Sequence, residues 1–279
     1  MLSFLTDREK EEAQGKGYMC EHLLCFYSMT SSKTALYDDN FPVYFSGYGE
    51  VDVILFGLID EKGDKLGCVR DLLQQPLTEL NVISSEAVAG LQTKYVDWDY
   101  HIDVERFDLD LRGREYKDLR YNVRRAERHG YRSRLSRTFT KAHAYVLSRH
   151  MARHNLDVWD IEELSSIERF FREHDHGFMM EAYYEDRLIG FDVIDFCDDN
   201  QIMVAPVGVY LEAPSLADFL MYENMKYAKE QGYDWLDVGV TCQNRGLQDF
   251  KTKWFAEPRY ELVVQTIERS RNGKTSRVR

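Results

Sequence analysis

Between residues 178 and 210 the chain reads strand, turn, strand, turn, strand. Segments 178–184, 188–196 and 201–210 are dominated by aliphatic and aromatic residues, types that fit a pleated, half-buried surface. Only Glu185-Asp186-Arg187 and Asp198-Asp199-Asn200 separate them. Parallel neighbours need a crossover of a dozen residues or more. The three strands are therefore expected to form an antiparallel meander, and the rest of the chain must be arranged around it.

A helical pattern starts at Ser215 and runs to Gly232, which suits the left-handed conformation that closes helices. A short strand follows, with Leu236, Val238 and Val240 on one face and Trp235, Asp237 and Gly239 on the other. A polar loop from Thr241 to Arg245 leads to a second helix over 247–254. Loops at strand ends carry sites in layered folds. A last strand is expected over 260–267.

Upstream, residues 114–129 read as a helix. Tyr116, Leu119, Val123 and Ala126 form one apolar stripe. Arg120, Arg124 and Arg128 recur every four residues on another face, with Arg125 beside them. Gly130 ends the helix, 131–137 reads as a strand, and helices are expected over 140–154 and 161–173. The first hundred residues show strands at 51–59 and 79–83 and a brief helix starting at Ser84. Segment 95–104 is aromatic and acidic; Tyr95, Trp98 and Tyr100 suit core packing or a pocket lining.

Charge is unevenly placed. Residues 111–154 hold 13 Lys or Arg against Glu115, Asp118 and Glu127, a local balance of +10 in a chain of net charge −12. A basic stripe on an acidic protein points to a local polyanion site or to a solvated helix face. The basic end, 269–279, reads as a solvated tail. No apolar run reaches the roughly 20 residues of a membrane helix, and the N-terminus turns charged too early for a signal peptide. Cys20, Cys25, Cys68, Cys197 and Cys242 are scattered and odd in number, so a reducing cytoplasm is expected. No metal site is expected: His174-Asp175-His176 closes a helix at Gly177 and suits capping.

The run Gly232-Tyr-Asp-Trp-Leu-Asp-Val-Gly239, followed by Phe250-Lys251-x-x-Trp254-Phe255, resembles the C-terminal signature of GNAT-like acyltransferases without the usual glycine loop. These include the Fem-type aminoacyl-tRNA-dependent transferases and the C-terminal domain of phosphatidylglycerol lysyltransferases. Leu119-Arg120-Tyr-Asn-Val-Arg124-Arg125-Ala126-Glu127-Arg128-His-Gly130-Tyr131 is a second matching piece. The resemblance implies an α/β (α+β) fold, a mixed sheet flanked by helices, with the order of elements read above. It also suggests a tandem arrangement: a degenerate first copy over 1–134, a second over 135–268, then the basic tail.

In that fold acetyl-CoA's pyrophosphate sits on backbone amides of a glycine-rich loop after the third meander strand. The corresponding segment here, 211–219, has no glycine and no basic residue. Pro214 removes a donor, and Glu212 and Asp218 carry the wrong charge. The resemblance instead implies an acyl group taken from aminoacyl-tRNA. By the same resemblance Lys251 steadies anionic oxygen at the reacting carbonyl; a surface lysine is the plainer alternative. Arg245 suits phosphate or carboxylate, and Arg120, Arg124, Arg125 and Arg128 suit the donor's backbone. Asp237 is the preferred proton acceptor, with Asp192 and Asp195 as alternatives. Cys242 has no histidine set beside it by sequence.

Two classes of function follow. The first is an acyltransferase moving an aminoacyl or other acyl group, from tRNA or an acyl-CoA, to an amine or hydroxyl on a small molecule, peptide or lipid. The second is a catalytically silent protein of the same fold that binds RNA or another polyanion. No cofactor beyond the co-substrate is implied.

Overall fold

The computed structural model describes residues 3–4, 34–38, 41–45, 50–54, 79–84, 87, 89–154, 167–173, 177–197, 201–241 and 243–268. The chain divides into two compact units, residues 1–99 with 260–279, and residues 100–259. The division differs from the expected one at 134/135.

The first unit holds strands β1 (Ser3–Phe4), β2 (Thr34–Asp38), β3 (Phe41–Phe45), β4 (Glu50–Ile54) and β5 (Glu79–Ser84). β1 to β4 pair antiparallel in sequence, and β4 then pairs parallel with β5. On the far side of β5, residues 263–268 of β12 (Glu257–Glu268) pair antiparallel with it. Leu80 and Val82 alternate inward and are fully buried. The end of the expected 51–59 strand and the brief helix after Ser84 fall largely outside the described residues. Residues 95–103 of the segment read only as aromatic and acidic belong to a twelve-residue strand, β6 (Gln92–Asp103), whose residues 100–103 are counted in the second unit.

The second unit is built on strands β7 (Arg132–Ser136), β8 (Phe178–Tyr184), β9 (Arg187–Cys197), β10 (Ile202–Tyr210) and β11 (Trp235–Val240). Their spatial order is β11-β10-β9-β8-β7. β7 to β10 are antiparallel, which the short turns require between β8, β9 and β10, and β11 returns parallel to β10 after a helix. Glu185 and Asp186 both take positive φ, 46° and 61°. That left-handed pair matches the twist of flanking strands and closes the β8–β9 hairpin tightly.

Helices α1 (Lys117–His129), α2 (Lys141–Arg153), α3 (Ile167–Glu173), α4 (Leu216–Gln231) and α5 (Arg245–Lys253) complete this unit among the described residues. The apolar stripe of α1 is buried as expected, through Leu119, Val123 and Ala126. It shares one core with Leu216, Phe219, Leu220, Met225 and Ala228 of α4, and with Met180 and Ile194 of the meander. This common core ties α1 to the meander, and pairing with β8 ties β7 to it. Gly232 ends α4 at φ 81°, its N–H reaching the carbonyls of Ala228 and Lys229.

Candidate active site at the fork of two strands

β10 and β11 pair only over Ile202–Val204 and Trp235–Asp237. Beyond Val204 the β10 ladder is also irregular toward β9, with a register shift between Val204 and Val207. The two parallel strands therefore part just where Asp237 stands. A bulge that ends pairing commonly re-aims side chains at a site.

Asp237 is fully buried. Its Oδ1 accepts the N–H of Gly239 at 2.6 Å. Gly239 has φ +70°, a conformation that glycine takes without strain. After this bend, the carbonyls of Gly239 and Val240 both accept from Lys251 Nζ, the latter at 2.5 Å. Lys251 is 5% exposed, which excludes the surface-lysine alternative. Its ammonium also stands 5.6 Å from the centre of the Tyr100 ring, within range of a cation–π contact.

The local sequence explains the placement of Lys251. Asn244 caps α5, its Oδ1 accepting from Gly246 N at 2.9 Å and Leu247 N at 3.3 Å. The Thr241 carbonyl accepts from Asn244 N at 2.8 Å and so tightens the loop. The helix then carries Lys251 back against the strand end from which the loop left.

His101 was not singled out by the sequence. It lies on β6, is 1% exposed, and brings a ring nitrogen within 4.8 Å of an Asp237 carboxylate oxygen. Burial pushes its pKa down to about 4; Asp237 opposes that shift, while Arg259 and Lys251 add to it. The imidazole is therefore neutral near pH 7, so Asp237 faces no imidazolium. The ring also meets Trp235 edge-on at 6.2 Å, and Arg259 lies 4.0 Å over the same indole. A signal was present in sequence: Asp97, Asp99, His101 and Asp103 alternate along β6. Asp97, Asp99 and His101 are all buried, an inward polar face that periodicity alone reads as solvent-facing. His101 and Asp237 are metal-ligand types, yet Lys251 and Arg259 place two positive charges beside them, which disfavours a third.

The other carboxylates lie on β9, where Asp195 pairs in register with Val204 at the base of the fork. Asp192 lies in the core, accepting from Tyr210 Oη and, at 2.6 Å, from Asn224 Nδ2. Burial pushes its pKa up to about 6. Asp195 Oδ1 accepts the N–H of Phe196 at 3.0 Å. Cys242 and His174-Asp175-His176 lie outside the described residues.

The arginine face of α1 divides. Arg120 turns inward, its Nη1 donating to the carbonyls of Leu111 and Gly113, the latter at 3.0 Å. Arg128 Nε donates to the carbonyl of Arg124 at 3.2 Å. Arg124, Arg125 and Arg128 are exposed, as is Tyr121 beside them. Arg245 is exposed at the first position of α5. The structure thus brings Asp237 and Lys251 together around Gly239 and leaves the exposed arginines as a separate surface.

Segment 211–219 carries Ser215 at φ +60° and no side-chain cap on α4. The carboxylate of Asp218 occupies the first helical turn and is 6% exposed.

The family described as "Phosphatidylglycerol lysyltransferase, C-terminal" matches residues 79–262. The chain belongs to this family. Family membership makes it a GNAT-like transferase. The structure of L-PGS from Bacillus licheniformis is similar at 15% identity and TM-score 0.67, covering 95% of this chain and 92% of that one. The C-terminal domain of a putative lysylphosphatidylglycerol synthetase from Agrobacterium fabrum is similar at 15% identity and TM-score 0.64, over 91% and 92% of the two chains. FemX matches at 10% identity and TM-score 0.60, over 94% and 96%. A tandem GNAT protein from the clavulanic acid biosynthesis pathway matches at 11% identity and TM-score 0.57, over 96% and 98%. These likenesses show the fold, a tandem GNAT-like mixed sheet flanked by helices. A comparison with curated proteins found no match. Among the described residues of this lysyltransferase-family chain, no helix is long and apolar enough to cross a membrane.

Proposed function

We propose that the protein transfers an aminoacyl group from aminoacyl-tRNA to an amine or hydroxyl acceptor. The observation that carries this reading is the buried set of Asp237, neutral His101 and Lys251 at the fork of β10 and β11, in a member of a lysyltransferase family. The acceptor's nitrogen or oxygen attacks the ester carbonyl of the donor. A new amide or ester bond forms, and the bond to the tRNA's terminal ribose oxygen breaks.

Lys251 holds a fixed positive charge at the fork, where negative charge develops on the carbonyl oxygen. Asp237 takes the proton released by the attacking group; the ribose oxygen that leaves takes a proton in turn, so charge balances over the cycle. His101, uncharged, adds no positive charge of its own beside Asp237. The exposed Arg124, Arg125 and Arg128 suit the donor's phosphates, and Arg245 suits a phosphate nearer the loop. Segment 211–219 supports tRNA over acyl-CoA, because no glycine cradle is present and Pro214 removes a backbone donor.

The test is transfer of a labelled amino acid from charged tRNA, offered phosphatidylglycerol vesicles in one arm and a lysine-containing peptide in the other. Product in either arm, abolished by Lys251→Ala, supports the reading and names the acceptor class. RNA binding without transfer to either acceptor, unaffected by Lys251→Ala, favours the silent-binder alternative. Transfer only from acyl-CoA overturns the choice of donor.

A further inference from the structure

Asp218 belongs to neither the fork nor the arginine surface, yet it is bonded to the helices that carry both. Its Oδ2 accepts from Asn122 Nδ2 of α1 at 2.9 Å. Its Oδ1 accepts from the indole Nε1 of Trp254 at 3.0 Å and pairs with Lys253 Nζ at 2.6 Å. A carboxylate this buried is costly unless every lone pair is engaged. Here one carboxylate on α4 joins α1 to the C-terminal end of α5.

The end of α5 is where Lys251 is anchored. Trp254 is the C-cap of that helix, and its N–H and that of Ala256 both reach the Lys251 carbonyl, at 2.9 Å and 3.0 Å. The Trp254 ring is fully buried and stacks on Phe107 at 5.7 Å and 17°. The four-carbon stem of a lysine is flexible, but here it is buried and its ammonium is held by two carbonyls, so its reach is set by where the α5 backbone stands. Lys251 Nζ reaches the Gly239 and Val240 carbonyls across the loop, and a small rotation of α5 would withdraw it.

We propose that Asp218 is a positioning residue for Lys251. It clamps the indole of Trp254 and the ammonium of Lys253, so that the next turn back presents Lys251 to the strand fork. Through Asn122 the same carboxylate ties this clamp to the helix whose arginines face the donor. The proposal rests on the aminoacyl-transfer reading for its kinetic consequence, but the placement of Lys251 is measurable without it.

The experiment uses the full chain with Asp218→Leu, which removes the acceptor while filling its volume, and separately Trp254→Phe, which removes only the indole donor. Native protein is acylated briefly with an N-hydroxysuccinimide ester, and each lysine is read by peptide mass spectrometry. Lys229, which donates to the carbonyls of Glu105 and Phe107, is the internal control. The expected result is a tenfold or greater rise in Lys251 labelling in either folded variant, with Lys229 unchanged. In the transfer assay kcat falls at least tenfold and the donor's KM stays within twofold. Unchanged Lys251 labelling overturns the proposal. So does an equal rise at Lys229, which reports general loosening. Should wild-type protein transfer nothing, the functional reading fails, and the labelling alone still decides the role of Asp218.

Discussion

The proposed role of Lys251 is constrained by its exposure and by its partners. It is a buried cation, with Nζ bonded to the carbonyls of Gly239 and Val240 and facing a tyrosine ring. Replacing it with methionine keeps the apolar stem and removes the charge. Turnover in the transfer assay is expected to fall roughly a hundredfold or more, as when one oxyanion donor is lost. Donor affinity, measured by filter binding, should stay within twofold, because the proposed donor contacts are the exposed arginines. An equal fall in affinity would move Lys251 into the binding surface. Lys251 and Asp237 were nameable as candidates from the strand–loop–helix signature around them. His101 was not, because an alternating polar pattern on a strand carries no mark of whether its polar face meets water or a core.

Among elements, α1 shows that one helical repeat can hold two kinds of arginine. Arg120, Arg124 and Arg128 are equivalent by spacing, yet Arg120 is spent on the carbonyls of Leu111 and Gly113. Arg124→Ala and Arg125→Ala are each expected to weaken donor binding and to lower the salt slope by about one phosphate contact, read from binding isotherms between low and moderate salt. Arg120→Ala should leave that slope unchanged and lower the melting temperature instead, since two carbonyls lose their donor. If all three variants behave alike, the division of the face is incorrect. Segment 211–219 makes a second expectation at this scale. Acetyl-CoA should show no micromolar binding by calorimetry; micromolar binding lost on altering 211–219 would favour an acyl-CoA donor. The absence of a glycine cradle was plain in the sequence. That Asp218 points inward to Trp254, Lys253 and Asn122, and not toward a ligand, needed the packing of three helices.

For the whole molecule, two buried groups oppose each other in acid. Asp192 has its pKa raised to about 6 by burial, so its contribution to stability is complete below the unfolded value near 4 and is lost as pH rises through 6. His101 has its pKa lowered to about 4, so its contribution is complete above about 6.5 and is lost as pH falls toward 4. Each window is worth about 3 kcal/mol, at about 1.4 kcal/mol per unit. Thermal melts from pH 4 to 8 should therefore separate them. Asp192→Asn should gain over wild type as pH rises from 4 to 6, and His101→Gln should hold its advantage only near pH 4. Differences that do not vary with pH would show that neither group titrates in the folded protein as its burial requires. The order of strands and helices in residues 114–268 was determined by the sequence alone, because periodicity, short turns and capping residues act within a few positions of one another. So were the basic stripe and the missing phosphate cradle. Tertiary structure alone decided that β6 brings His101 to Asp237, that β10 and β11 part at Val204, and that Arg120 is consumed internally. It also decided that 263–268 return to pair with β5, which takes the C-terminal strand into the first unit. The physical reason is common to all four: they depend on contacts between segments that local periodicity does not relate, and on which polar groups packing strips of water.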